Sequence, residues 1–197
     1  MNAKLDFLQE LGNIGAGHAT TALSQLLNGE RLNLVIPEAV MLPFEDVSSF
    51  IGGQEQAIAG IYIEISGDAC GHMAFLLPLE SAINLVNMLT LEESSKLSEL
   101  GLSALQEVGN IMIASYLNAL SNLTDMCMIP SVPSVAIDMA GAVWESILAD
   151  AEVAETITLI KAQFAADATP IEGHILFLPN EEDFQKIAQA LGLEDVE

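Results

Sequence analysis

Basic residues are scarce in this chain. Its 197 residues include 5 Lys and Arg against 28 Asp and Glu, for a formal net charge of −23. A nucleic-acid partner requires a cationic footprint along its phosphates, and five cations cannot supply one. An anionic membrane surface repels such a chain for the same reason. Cysteine is also rare. Cys70 and Cys127 are the two present, too few for the disulfide framework of a small secreted domain. Both have apolar neighbours, so both are expected to be buried free thiols. No apolar run reaches the ~18 residues of a membrane helix. The start, Met1-Asn2-Ala3-Lys4-Leu5-Asp6, carries no apolar signal core. These absences predict a cytoplasmic protein with no nucleic-acid partner and no membrane insertion.

What the chain has in quantity is apolar side chains, 51% against 17% charged. That is the composition of a globular protein able to bury a core. The sequence also repeats itself. Leu8-Gln9-Glu10-Leu11-Gly12-Asn13-Ile14 matches Leu105-Gln106-Glu107-Val108-Gly109-Asn110-Ile111 at six of seven positions. Ala22-Leu23-Ser24-Gln25-Leu26 aligns at the same offset with Ala119-Leu120-Ser121-Asn122-Leu123. Gly71-His72 and Gly173-His174 open two further matching stretches. The expectation is one domain over 1–197 built from two repeats, about 1–92 and 98–197, joined by a polar connector at 92–96. Each half is too small to fold comfortably alone.

Each repeat reads as a long helix, three strands and a closing helix. Helices are predicted at 4–28 and 98–122, with Asn28-Gly29 as a helix stop in the first. Strands are predicted at 32–42, 56–66 and 70–78, then at 133–139, 152–164 and 171–179, six in all. Gly67-Asp68 and Asp167-Ala168 suit hairpins, hence antiparallel pairing. Closing helices are predicted at 79–90 and 181–191, and a short helix around Trp144 at 140–149. The fold class is α/β (α+β): a pseudo-two-fold duplicated domain with two long helices on a mostly antiparallel six-stranded sheet.

On a helical wheel Asp6, Glu10, Asn13 and Gly17 share one side of the first long helix. Leu8, Leu11, Gly15, Ala19, Ala22 and Leu26 form an apolar or small-residue stripe opposite, expected to face the sheet. Ser103, Glu107, Asn110 and Ala114 repeat the polar side in the second helix. One exposed Glu–Asn pair on an amphipathic helix carries no message. Two such pairs, kept while the stripe drifted from Gly15 to Met112 and from Ala19 to Tyr116, do. Surface positions ordinarily tolerate change. Gly12 and Gly109 lie beside the Asn residues, and a helix-interior Gly costs about 1 kcal/mol relative to Ala. The expectation is that another protein's surface approaches the backbone there.

An Asn side chain is a poor base but a good holder of water, because it both donates and accepts hydrogen bonds. A Glu can pair with a cation on another molecule. Such a pair suits hydrolysis of an already activated group, such as an aspartyl phosphate, where placing water in line with phosphorus limits the rate.

At these residues the chain resembles the CheC/CheX/FliY family of chemotaxis phosphatases, and within it the CheC type. The family signature is Asp or Ser, three residues, Glu, two residues, Asn, about 22 residues, then Pro; Asp6, Glu10, Asn13 and Pro37 fit with a last gap of 23, and Ser103, Glu107, Asn110 and Pro133 with 22. The resemblance spans the whole chain. It implies a hydrolase that removes the aspartyl phosphate of a phosphorylated CheY-type response regulator in chemotaxis signal transduction. It implies that Asn13 and Asn110 orient the attacking water and that Glu10 and Glu107 pair with a regulator Lys. Asp6 and Ser103 are supporting motif members. It implies no cofactor of the chain's own, with Mg²⁺ supplied in the partner's phosphorylation site. CheD is a further implied partner, with the short helix at 140–149 as its contact. Trp144 in that helix could equally cap the core. The alternative is a non-enzymatic adaptor that binds CheD or a flagellar switch component.

Other patterns carry less. Gly12-Asn13-Ile14-Gly15-Ala16-Gly17 reads G-x-x-G-x-G with no strand before it, which is not the dinucleotide fingerprint. His18, His72 and His174 lack metal-ligand spacing. Asp68, Asp138 and Asp167 read as turn or surface residues.

Overall fold

The computed structural model describes residues 3–26, 33–43, 46–91, 93–149, 156–166 and 169–192. The first half runs α1 (Ala3–Leu26), β1 (Asn33–Pro43), a short α2 (Val47–Phe50), β2 (Ala57–Gly67), β3 (Gly71–Pro78) and α3 (Leu79–Thr90). The second runs α4 (Glu99–Thr124), β4 (Met128–Pro130), β5 (Ser134–Met139), α5 (Ala140–Ala149), β6 (Thr156–Ala166), β7 (Thr169–Pro179) and α6 (Glu181–Ala190). The predicted helix stop at Asn28-Gly29 and the hairpin turn at Asp167-Ala168 lie outside the described residues.

The strands form one sheet in the order β1-β6-β7-β3-β2-β4, with β5 also paired to β2. Each of these pairs is antiparallel. The order reads alike from either end. β1 of the first half lies on β6 of the second, β5 lies on β2, and β3 meets β7 between them. His72 faces Leu178 while His174 faces Leu76, the same step seen from the opposite strand.

The sheet has seven strands where the sequence predicts six. The additional one, β4, shares the edge of β2 with β5, pairing at Ile65–Gly67 while β5 pairs at Ala57–Tyr62. Pro130 and Pro133 flank the interruption, and neither has an N–H to give a ladder. Within it the Ser131 N–H donates to Glu64 O at 2.8 Å. The Glu64 N–H donates to Ser131 Oγ at 3.0 Å. A side chain thus takes a rung that backbone would otherwise fill.

Alternation along the strands divides two cores. Ile61, Ile63 and Ile65 of β2, Met73, Phe75 and Leu77 of β3, and Ile175 and Phe177 of β7 face a helical layer. Leu105, Val108, Met112, Tyr116, Leu23 and Leu85 pack against them from α4, α1 and α3. Ile58, Ala74, Leu76, Leu176 and Leu178 face the other way, under Val47 and Ile51 and under Val143, Trp144 and Ile147 of α5. Trp144 is buried and so caps this second core. Because β3 and β7 are covered on both faces, they read as nearly continuous apolar runs.

Candidate active site

The two long helices carry the polar ridges, and packing behind them fixes their rotation. α4 begins at Ser98, whose Oγ accepts the Gly101 N–H at 3.1 Å, an N-cap that satisfies an otherwise unpaired donor. Leu105, Val108, Met112, Tyr116 and Ala119 are all buried, whereas Leu123, the counterpart of Leu26 in the first repeat, is 44% exposed. With that stripe inward, Ser103 and Glu107 are exposed and Asn110 is half-buried. Ser103 Oγ donates to the Glu99 carbonyl at 3.1 Å, a local helix contact. On α1, Glu10, Asn13 and Gly17 are exposed while Gly15, Ala16, Ala19 and Leu23 are buried. The side chain of Asp6 lies outside the described residues.

The glycines beside the Asn residues face inward. Gly12 and Gly109 are buried, which corrects the expectation that they admit another protein. A Cβ on Gly109 would lie 2.6 Å from the side-chain carbons of Ile61. The glycine lets α4 settle directly on β2. Gly15 does the same between helices: its Cβ would stand 3.1 Å from Tyr116 Cα. The glycine lets the backbones of α1 and α4 approach closely at Tyr116.

Glu10, Asn13, Glu107 and Asn110 have no hydrogen bond or ion pair among the described residues. Lys161 is held by Glu172 at 3.2 Å, and Lys186 by Glu182 and Asp183 at 3.1 and 2.7 Å. Among the described residues, each ridge therefore offers a carboxylate without a partner cation and, one turn on, an amide with free hydrogen-bonding capacity. Beside the α4 ridge, Gln106 Nε2 donates to the Pro133 carbonyl at 2.6 Å. The reading of the sequence assigned Gln106 no role; its recurrence as Gln9 in the first repeat was the available signal.

The remaining polar groups serve the scaffold. Tyr62 stacks on His72 with ring centroids 5.3 Å apart, and its hydroxyl bonds His72 Nδ1. His174 is buried against the edge of Phe50. Asp68 Oδ2 accepts the Cys127 N–H at 2.8 Å, and the Asp68 N–H donates to the Cys127 carbonyl at 2.9 Å. Both cysteines are free, but Cys70 is only half-buried and Cys127 is exposed, contrary to expectation. The turn that holds Cys127 against Asp68 turns its side chain outward although Met126 and Met128 flank it. A cavity of about 250 Å³ lies under α5, lined by Gly60, Tyr62, Ser134, Val143 and Ser146. It lies on the sheet face opposite the long helices, away from the ridges.

No helix among the described residues is long and apolar enough to cross a membrane. The model of the CheC-like family matches residues 4–30 and 100–137, the segments that contain the two ridges. The CheY-P phosphatase CheC of Bacillus subtilis (strain 168) is 35% identical over 197 residues, covering 96% of this chain and 94% of that protein. Among solved structures, Thermotoga maritima FliY superposes with a TM-score of 0.77 at 18% identity, covering 98% of this chain and 97% of that one. FliM of H. pylori, from its complex with SpeE, gives 0.72 at 10% identity over 100% and 98%. These two establish the fold. With a 35% identical relative along nearly its full length and both ridge segments matched, the chain belongs to the CheC-like family.

Proposed function

We propose that this protein hydrolyses the aspartyl phosphate of a phosphorylated CheY-type response regulator. The supporting observation is the duplicated Glu–Asn pair on the outer helix faces, unpartnered among the described residues. Neither side chain is a nucleophile of the activated kind, which would need an adjacent base. The electrophile must then arrive already activated. An amide such as Asn13 or Asn110 can accept one hydrogen bond from a water and hold it in line with phosphorus. Attack forms the new O–P bond and breaks the bond to the regulator's Asp, which leaves as a carboxylate. The water's proton ends on the released phosphate. Glu10 and Glu107 pair with a cation of the regulator and orient the two proteins. Asp6 and Ser103 are supporting positions at the start of each ridge.

Each ridge offers one described carboxylate and an amide, and no group of three or more His, Cys, Asp or Glu among the described residues is placed to hold a metal ion. We assign Mg²⁺ to the regulator's own phosphorylation site. The relative's printed activity on CheY-P agrees with this reading. We further take the chain as one cytoplasmic domain made of two repeats, which the mirrored strand order supports. The exposed side of α5 is our assignment for a CheD contact.

The test is phosphate release from acetyl-phosphate-charged CheY with Mg²⁺, with wild type and with Asn13→Ala/Asn110→Ala. Wild type should accelerate release, and the double variant should lose on the order of 100-fold of that acceleration. Its melting temperature should barely move, because Asn13 is exposed and Asn110 half-buried with no bond to a described residue, and such helix positions tolerate Ala. No acceleration by wild type would favour the adaptor reading. Acceleration that survives both substitutions would remove the Asn mechanism.

A further inference from the structure

A water-orienting amide works only if it is held still, and a residue outside the family signature, Gln106, makes a tie that can do this. Gln106 precedes Glu107 and stands four residues before Asn110, on the same helix face one turn earlier. It is half-buried, and its Nε2 donates to the Pro133 carbonyl at 2.6 Å across 27 residues of chain. Pro133 has a fixed φ and no N–H, so its carbonyl is its whole backbone hydrogen-bonding capacity. The same loop is fastened to the sheet by the Ser131 N–H on Glu64 O and by the Glu64 N–H on Ser131 Oγ.

These contacts close a frame. α4 rests on Ile61 of β2 through Gly109. β2 runs on to Glu64, and the loop returns through Ser131 and Pro133 to Gln106. At Gly109 itself there is no side chain to key α4 to β2, and the buried residues one turn before and after it, Leu105 and Met112, supply that keying on this face. The bond from Gln106 acts off the helix axis and opposes residual roll of α4. Any roll would swing Asn110 through an arc, and a displacement near 1 Å at a reacting centre costs on the order of 100-fold in rate.

We infer that Gln106 is a positioning residue for the α4 site: the buried stripe sets the seating of α4, and the hydrogen bond from Gln106 to Pro133 restrains the residual roll that would displace Glu107 and Asn110. This rests on the phosphatase reading above. It also gives a physical reason for a proline at that distance from the Glu–Asn pair. Gln9 occupies the same place relative to Glu10 and Asn13 on α1.

The experiment uses the full chain carrying Asn13→Ala, so that only the α4 site turns over. Into it go Gln106→Glu, which keeps the shape but has no donor at neutral pH, and Gln106→Lys, which restores one. Both residues are good helix formers. CheY-P hydrolysis is followed as kcat and KM, with melting temperature recorded separately. The Glu variant should lose about 10-fold in kcat with KM within about twofold of its parent. The Lys variant should regain most of kcat. A purely structural bond would lower the melting temperature and leave kcat at 25 °C unchanged. Unchanged kcat in the Glu variant, equal loss in both variants, or a loss confined to KM would overturn the inference while the parent stays active. Failure of the phosphatase reading looks different: wild type itself would not accelerate phosphate release, and both proposals would fall.

Discussion

Two buried polar atoms, the Tyr116 hydroxyl and His174 Nδ1, have no hydrogen-bond partner among the described residues. Burial pushes the Tyr116 hydroxyl far above its ordinary titration range, so it stays protonated. His174 is pushed down from 6.5 to about 4, chiefly by burial and secondarily by the Lys161 charge, against a smaller opposing pull from Glu172. Its folded pKa is therefore the lower one. Above pH 6.5 the imidazole is neutral in both states and imposes no penalty. Below 6.5 the unfolded chain binds the proton first, and stability falls by about 1.4 kcal/mol per pH unit until about pH 4. The pKa of the Glu172 carboxyl is also lowered. Burial would raise its pKa, but hydrogen bonds from Lys161 and Gln163 outweigh burial and hold the carboxyl below its usual range. Urea unfolding at pH 7 and pH 5 should show wild type losing stability and His174→Gln losing much less. Equal losses in the two proteins would rule out the buried imidazole as the cause.

Among the elements, the contact of α4 with β2 makes the sharpest demand. Replacing Gly109 by Ala at an unconstrained helix site would stabilise the protein by about 1 kcal/mol. Here the new Cβ would sit 2.6 Å from Ile61, and overpacking of that kind costs about 1–3 kcal/mol. Gly109→Ala should therefore destabilise, and the double variant with Ile61→Ala should be less destabilised than the two single effects added together. A stabilised Gly109→Ala in denaturant titration would refute the tight seating. Most elements were readable from local pattern. The helices expected at 79–90 and 140–149 are present at Leu79–Thr90 and Ala140–Ala149. β4 was not readable: three residues carry no period, and its partner on β2 is distant in the chain.

Taken whole, the molecule is dominated by its charge of −23. Like charges on one surface repel, and salt screens them over a Debye length of about 10 Å at 0.1 M. Added NaCl should raise the melting temperature of the isolated protein. A melting temperature that falls steadily with salt would mean that attractive pairs such as Lys186 with Glu182 and Asp183 outweigh the repulsion. The same field leaves Glu10 and Glu107 without cations of their own among the described residues, ready for a basic partner.

Composition, periodicity and repetition by themselves determined the layered α/β class and the two polar ridges. Each of these follows from which residues recur at 3.6 or 2 positions, and that information is local. Only the tertiary structure decided that Gly109 serves Ile61 and not an incoming protein, that Cys127 faces solvent, and that Gln106 binds Pro133. Each of those outcomes depends on a contact with a segment distant in the chain, whose position exists only once the sheet has assembled.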